Sequence, residues 1–201
     1  MKIQCIGDYG LSQSLFGLGL SYGLTSGINS WAGVPEDVKE RLRKVAGNLC
    51  KKDGGENKFL RQIYYVWDIT APSYWWPQFD QYKVGTVTQS ESKMHSLLKR
   101  PFTPEDFGGN DSAVEALNIL REEWLAMEDE TSRRELWQEI LESLPMSYHQ
   151  RRICSMNLAV MKNVYHQRKH HKLGEWHQVC QAFVDATPSF LQGIYDDADK
   201  G

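Results

Sequence analysis

Basic residues do not outnumber acidic ones in this chain: 23 Lys and Arg stand against 26 Asp and Glu, a net charge of -3. A protein that coats nucleic acid by electrostatics is usually basic, so that class is excluded, while a single nucleotide as ligand is not. Long apolar runs are also missing. No stretch approaches the roughly eighteen apolar residues that cross a bilayer, and no membrane role is expected. Met1-Lys2-Ile3-Gln4-Cys5-Ile6 lacks the basic start and apolar block of a secretory signal. The four cysteines, at 5, 50, 154 and 180, include no Cys-x-x-Cys pair, so reduced thiols and a cytoplasmic location are the expectation. Internal repeats and low-complexity linkers are absent as well.

What remains is a chain of 201 residues, 41% hydrophobic, long enough for one substantial core. A single domain spanning 1–201 is expected, with a helical hairpin lobe at 111–144 inside it. Lys2 to Ile6 reads as a short strand, followed by a turn through Gly7-Asp8-Tyr9-Gly10 and a helix from Leu11 to Leu24. Strand, glycine turn and helix together invite a dinucleotide-binding reading, but Gly17-Leu18-Gly19 lies inside the apolar run instead of at the helix entrance. Gly23 to Gly33 is a loop. Pro35-Glu36-Asp37 opens a charged helix through about Leu49, since proline and acids suit a first turn. Lys51 to Asn57 is a loop, and the β-branched and aromatic run Lys58 to Ile69 is a strand or a buried helix. Tyr74-Trp75-Trp76 is read as packing, because aromatic side chains bury large areas.

Val84 to Thr88 reads as a short strand. From Asp111 to Met127, Leu117, Leu120, Trp124 and Met127 recur at helical spacing, and Ser132 with Glu135 offers a capping box for a second helix. The last helix runs from about Leu173 to Ala186, is stopped by Thr187-Pro188, and is followed by an acidic tail.

The segment Leu144-Pro145 through Asn157, Asn163 and Arg168 is the most distinctive. Pro145 ends the preceding helix and imposes an extended lead-in. A helix starting near Ser155 would place Asn157, Met161, Val164 and Arg168 on one face, with Asn163 pointing elsewhere. Such a stripe, apolar in the middle and polar at its ends, suits either a core helix with snorkelling ends or a site wall with hydrogen-bonding rims. The basic run Gln167-Arg168-Lys169-His170-His171-Lys172 is either a solvated helix end or a phosphate contact.

Other chemistries find thinner support. His166 with His170, and His171 with Glu175, have the four-residue spacing of metal ligands, but no third and fourth ligand is evident and basic neighbours disfavour a cation. No metal is expected. Ser90 or Ser92 near His95 lacks the elbow motif of a serine nucleophile. Glu122 and Glu123 read as a solvated helix face.

The order Leu144-Pro145, Asn157, Asn163, Arg168 resembles the C-terminal half of flavin-dependent thymidylate synthase (ThyX), with Lys172-Leu173-Gly174-Glu175-Trp176 where that family has His-Ala-Gln-Trp-Glu. More specifically, the chain resembles uncharacterised, mostly phage-encoded proteins related to ThyX, which carry sequences similar to Trp75-Trp76-Pro77-Gln78-Phe79-Asp80-Gln81-Tyr82-Lys83 and Ser90-Glu91-Ser92-Lys93-Met94-His95. The resemblance implies an α+β fold: a small sheet packed with several helices and a helix-rich C-terminal half. It also implies a homotetramer that binds FAD and a pyrimidine nucleotide in the host cytoplasm.

Residue by residue, the resemblance implies that Asn157 and Asn163 lie against the flavin and that Arg168 binds the pyrimidine. Gln78 stands at a family glutamine, and Gln81, Tyr82 and Lys83 stand where the family has Arg-His-Arg, which assigns them to the cofactor. Thr86, Thr88, Gln89 and Ser92 follow the family's spacer, so Gln78, Gln89, Ser92 and Arg168 are candidate substrate contacts and Arg168 with Ser92 the candidate catalytic pair. Lys83 and Ser92 would meet a phosphate. Met94 and His95 replace the family's Arg-Tyr, Leu141 replaces an arginine, and Asp53-Gly54-Gly55-Glu56-Asn57 replaces a histidine-bearing turn. Each arginine lost removes a planar clamp for phosphate. Two functions follow: flavin-dependent methyl-transfer type chemistry on a uridine nucleotide, or a non-catalytic nucleotide-binding or interaction protein on the same scaffold.

Overall fold

A computed structural model describes residues 1–196, so the end of the expected acidic tail, from Asp197 onward, lies outside the described residues. The fold is α+β, as expected, built on a four-stranded antiparallel sheet. Its strands are β1 (Lys2–Tyr9), β2 (Tyr64–Pro72), β3 (Thr86–Ser90) and β4 (His149–Asn157), in the order β1-β2-β4-β3. Alternation writes β2: Tyr65, Trp67, Ile69 and Ala71 are buried, as the period of two requires of one strand face.

The chain divides into two compact units. One holds Ile3–Asp68, Tyr82–Thr88 and the chain from Ile153 onward. In it, α1 (Leu11–Ser21) follows β1 directly, so the expected turn at Gly7 to Gly10 shrinks to Gly10 alone. Gly10 has φ 85, and a Cβ there would collide with the Gln62 carbonyl, so glycine is required. The charged helix α2 (Glu36–Leu49) begins behind Pro35, as its first-turn signals predict. The ambiguous run after Asn57 resolves into a 3-10 turn, Lys58–Gln62, and then β2. Helices α7 (Leu158–Arg168) and α8 (Gly174–Ala186) complete this unit, with Trp176, Val179 and Phe183 of α8 fully buried. The chain after Pro188 is not loose from the start: Ser189–Tyr195 forms a 3-10 segment with Leu191, Ile194 and Tyr195 buried. Thr187 Oγ1, 2.9 Å from Tyr195 Oη, anchors it.

The other unit holds Ile69–Gln81 and Gln89–Arg152, with Met1 and Lys2. Short helices α3 (Trp76–Phe79) and α4 (Lys93–Ser96) lead to a hairpin of α5 (Val114–Ala126) and α6 (Glu130–Glu142). Leu97, Phe102, Phe107, Leu117, Leu136 and Ile140 form its core. Trp75 and Trp76 are buried and meet edge to face at 5.0 Å, so these aromatics do pack. The cap of α6 is Asp129, not Ser132: its carboxylate accepts the Ser132 amide at 2.8 Å, because a short acidic side chain both reaches that amide and complements the helix dipole.

Two further sequence expectations shift. The helix expected from Ser155 begins at Leu158, since the preceding residues are drawn into the sheet as β4 and bury Cys154 and Met156 alternately. The strand expected at Val84 to Thr88 starts instead at Thr86, because Gly85, with φ 78, makes the turn before it.

Candidate functional site

Helix α7 grows out of β4 at Asn157, whose backbone is still extended. Its Oδ1 accepts the Val160 amide at 3.0 Å, which satisfies one of the orphan donors of the helix start. Gly85 lies against this cap: a Cβ built on it would come within 2.9 Å of Asn157 Nδ2. Asn157 is thus buried and committed to the turn where α7 begins.

The far end of α7 carries a linked set of polar side chains. Arg168 Nε donates to Tyr82 Oη at 2.7 Å, and its guanidinium lies 4.7 Å from the Trp176 ring and 5.6 Å from the Tyr82 ring. Tyr82 meets Trp176 edge to face at 6.0 Å. The Tyr82 hydroxyl in turn donates to Gln167 Oε1 at 3.2 Å, and Gln167 Nε2 donates to Asn163 Oδ1 at 2.8 Å. A hydrogen-bonded series therefore runs Arg168, Tyr82, Gln167, Asn163. A planar guanidinium stacked on an indole is held in orientation as well as in place. Asn163 and Gln167 are exposed at the end of this series, and Lys83 is exposed beside Tyr82 in sequence.

In the other unit, Gln78 is half-buried in α3, Gln81 is exposed with its amide nitrogen 3.4 Å from the Pro77 carbonyl, and Gln89 is exposed on β3. Ser92 is exposed just before α4, where its carbonyl accepts the Ser96 hydroxyl at 2.7 Å. Two cations near these residues in sequence or on β4 are Lys93 and Arg152, of which matching by position overlooks Arg152. Arg152 pairs with Asp80 at 2.8 Å, lies 4.1 Å from the Trp76 ring, and donates to Gln150 Oε1 at 3.1 Å. Lys93 Nζ sits 5.2 Å from the Tyr148 ring, and its pKa is lowered, first by burial and then by the nearby Arg152 charge. Arg152 was in view in the sequence, but only recognition of β4 as a strand would have placed it.

Two of the histidines at metal-ligand spacing meet the backbone instead. His166 Nε2 lies 2.7 Å from the Ile194 carbonyl, and His171 Nδ1 accepts the Leu173 amide at 3.1 Å. Among the described residues no group of three or more His, Cys, Asp or Glu could hold a metal ion, and no helix is long and apolar enough to cross a membrane.

Chemically, the end of α7 offers amides, which donate and accept at once, beside a fixed cation and aromatic walls. That donor set suits the imide edge of a pyrimidine or of a flavin ring, so the residues present fit such a group.

No protein-family profile and no curated protein matches the chain. Its fold is nevertheless that of known structures. Two crystal structures of ThyX from Helicobacter pylori, each with FAD and dUMP, superpose on it with a TM-score of 0.64 at 18% identity. Each comparison covers 98% of this chain, and 98% of one ThyX chain and 99% of the other. The fold is thus ThyX-like over that span, at an identity that speaks to fold alone.

Proposed function

We propose that this protein binds a pyrimidine nucleotide and a flavin, FAD, on its ThyX-like scaffold. The observation that carries the reading is the series Arg168, Tyr82, Gln167, Asn163, which joins two stretches distant in sequence, each of which stands at a ligand-contacting position by resemblance. Arg168 would hold the pyrimidine, Asn157 and Asn163 the flavin, and Gln81, Tyr82 and Lys83 would contribute to the cofactor. Gln78, Gln89 and Ser92 would contact the substrate, with Lys83 and Ser92 toward its phosphate. Bound flavin would supply hydride chemistry, and the protein would supply orientation and charge. On this reading the activity is methyl transfer to a uridine nucleotide by a self-associating, tetrameric enzyme, in which Arg168 and Ser92 touch the substrate.

Asn163 and Gln167 are exposed and keep amide hydrogens and lone pairs for a ligand, whereas Asn157 can act only from its capping position.

A second reading, a non-catalytic nucleotide-binding or interaction protein of phage origin, is favoured by a specific feature. Tyr82 and Trp176 engage the Arg168 guanidinium internally. The discriminating experiment is a visible spectrum of the purified protein with and without added FAD, paired with calorimetry against dUMP. Flavin absorbance and dUMP binding that falls in Arg168→Ala support the first reading. Nucleotide binding without flavin supports the second, and absence of both ligands rejects nucleotide function altogether.

A further inference from the structure

Outside the α7 region, the helical hairpin carries an open, groove-like cavity of about 680 Å³, within the range that accommodates small organic ligands. A second hollow of about 390 Å³ shares its lining residues Met94, Trp124 and Trp137 and continues the first. Arg133, Trp137 and Leu141 recur every four residues along α6 and so wall the cavity from one helix face. Leu136 and Ile140 point instead into the core, which leaves the two indoles, Trp124 and Trp137, only partly buried against it.

The chemistry of the lining is specific. The Arg133 guanidinium stacks 4.1 Å from the Trp124 ring, and its buried Nε has no hydrogen-bond partner. A buried donor left unsatisfied costs free energy, and a guanidinium that turns its Nε toward a ligand's acceptor recovers that cost. Arg134 also lines the cavity and forms no ion pair among the described residues. Of the two carboxylates in the wall, Glu142 already accepts Gln138 Nε2 at 2.8 Å. The cavity thus presents flat indole surface, a soft methionine and a guanidinium whose Nε lacks an acceptor, with the carboxylates of Glu130 and Glu142 at its wall.

We propose that this cavity is a binding site for a planar aromatic anion. The aromatic body lies against Trp124 and Trp137 with Met94 closing over it, and the carboxylate or sulfonate end accepts from Arg133, with Arg134 adding charge. The site is independent of the nucleotide reading, being built from residues that reading does not use.

The test uses the full chain and three dyes: anilinonaphthalene sulfonate, its uncharged counterpart phenylnaphthylamine, and the cationic thioflavin T. Saturable binding of the sulfonate, tighter than of the other two, is expected, with energy transfer from tryptophan. Arg133→Met keeps the stem but removes the charge, and should weaken sulfonate binding roughly tenfold or more while leaving phenylnaphthylamine unchanged. Trp137→Ala should weaken both, with circular dichroism confirming the helices, and Arg133→Lys should restore part of the loss. Equal sulfonate affinity in Arg133→Met, a preference for thioflavin T, or loss of binding in Arg168→Ala would each overturn the proposal. The last result would place the dye at the nucleotide site.

Discussion

Arg168 Nε donates a 2.7 Å hydrogen bond to the phenolic oxygen of Tyr82, a residue 86 positions earlier in the chain. The same oxygen donates to Gln167, so one hydroxyl couples the end of α7 to the segment before β3. Tyr82 is 9% exposed, which makes the loss of that hydroxyl a loss of buried partners.

Tyr82→Phe keeps the ring against Trp176 but removes the acceptor of the Arg168 Nε hydrogen bond. We expect a loss of stability of about 1–2 kcal/mol, read as a lower urea midpoint with an unchanged slope. On the proposed function, dUMP affinity falls as well, because the guanidinium loses one of the contacts that orient it. A variant as stable as wild type would mean that the hydroxyl contributes nothing to this cluster.

Gly85 and Asn157 should behave as a unit. Asn157→Ala removes the cap of α7, a change that costs about 0.5–2 kcal/mol. Gly85→Ala forces a side chain into a positive-φ position and toward the Asn157 amide, and we expect it to cost at least about 1 kcal/mol. Because the two sites touch, the double variant should be less destabilised than the sum of the singles. Strict additivity in a denaturation cycle would refute the contact.

Stability should depend on Asp106 in acid. Burial alone would raise its carboxyl, but the Arg100 guanidinium and the Thr103 amide together hold it below its ordinary value of 3.8. A carboxyl depressed in the folded state contributes stability that is present above its unfolded pKa and is lost as pH falls through the folded one. The stability gap between wild type and Asp106→Asn should therefore be full near neutrality and narrow below about pH 4. A gap that stays constant from neutrality into acid would remove Asp106 from the account.

Thiol reactivity should follow burial. Cys50, Cys154 and Cys180 are buried and Cys5 is half-buried, and burial pushes the Cys180 thiol up to about 11. Since the thiolate is the reactive form, iodoacetamide at neutral pH should label Cys5 first and reach the other three only on unfolding. Peptide mass mapping would show this, and early labelling of Cys154 would contradict the buried placement of β4.

Local signals explain what could be read in advance. Pro35-Glu36-Asp37 starts α2 because a first turn needs no donor from proline and welcomes acids, both properties of adjacent residues. The α5 and α6 hairpin was legible from apolar spacing, and the aromatic run at Trp75-Trp76 from sheer area. β4 was not legible as a strand. Two adjacent arginines and a cysteine give no strong alternation, and the segment is a strand because neighbouring strands supply its hydrogen bonds.

The candidate site divides along the same line. Residue order from Leu144 to Arg168 was enough to suggest a ThyX-like scaffold, and the loss of the Arg-His-Arg positions was visible in Gln81, Tyr82 and Lys83. Only the tertiary structure joined Tyr82 to Arg168, turned Asn157 into a helix cap, and left Arg133 stacked on Trp124 with a donor unmet. Periodicity and capping act over a few neighbouring residues and are written in the chain. Which distant side chains share a hydrogen bond is decided by packing, because a buried polar group must find its partner wherever the fold brings one within reach.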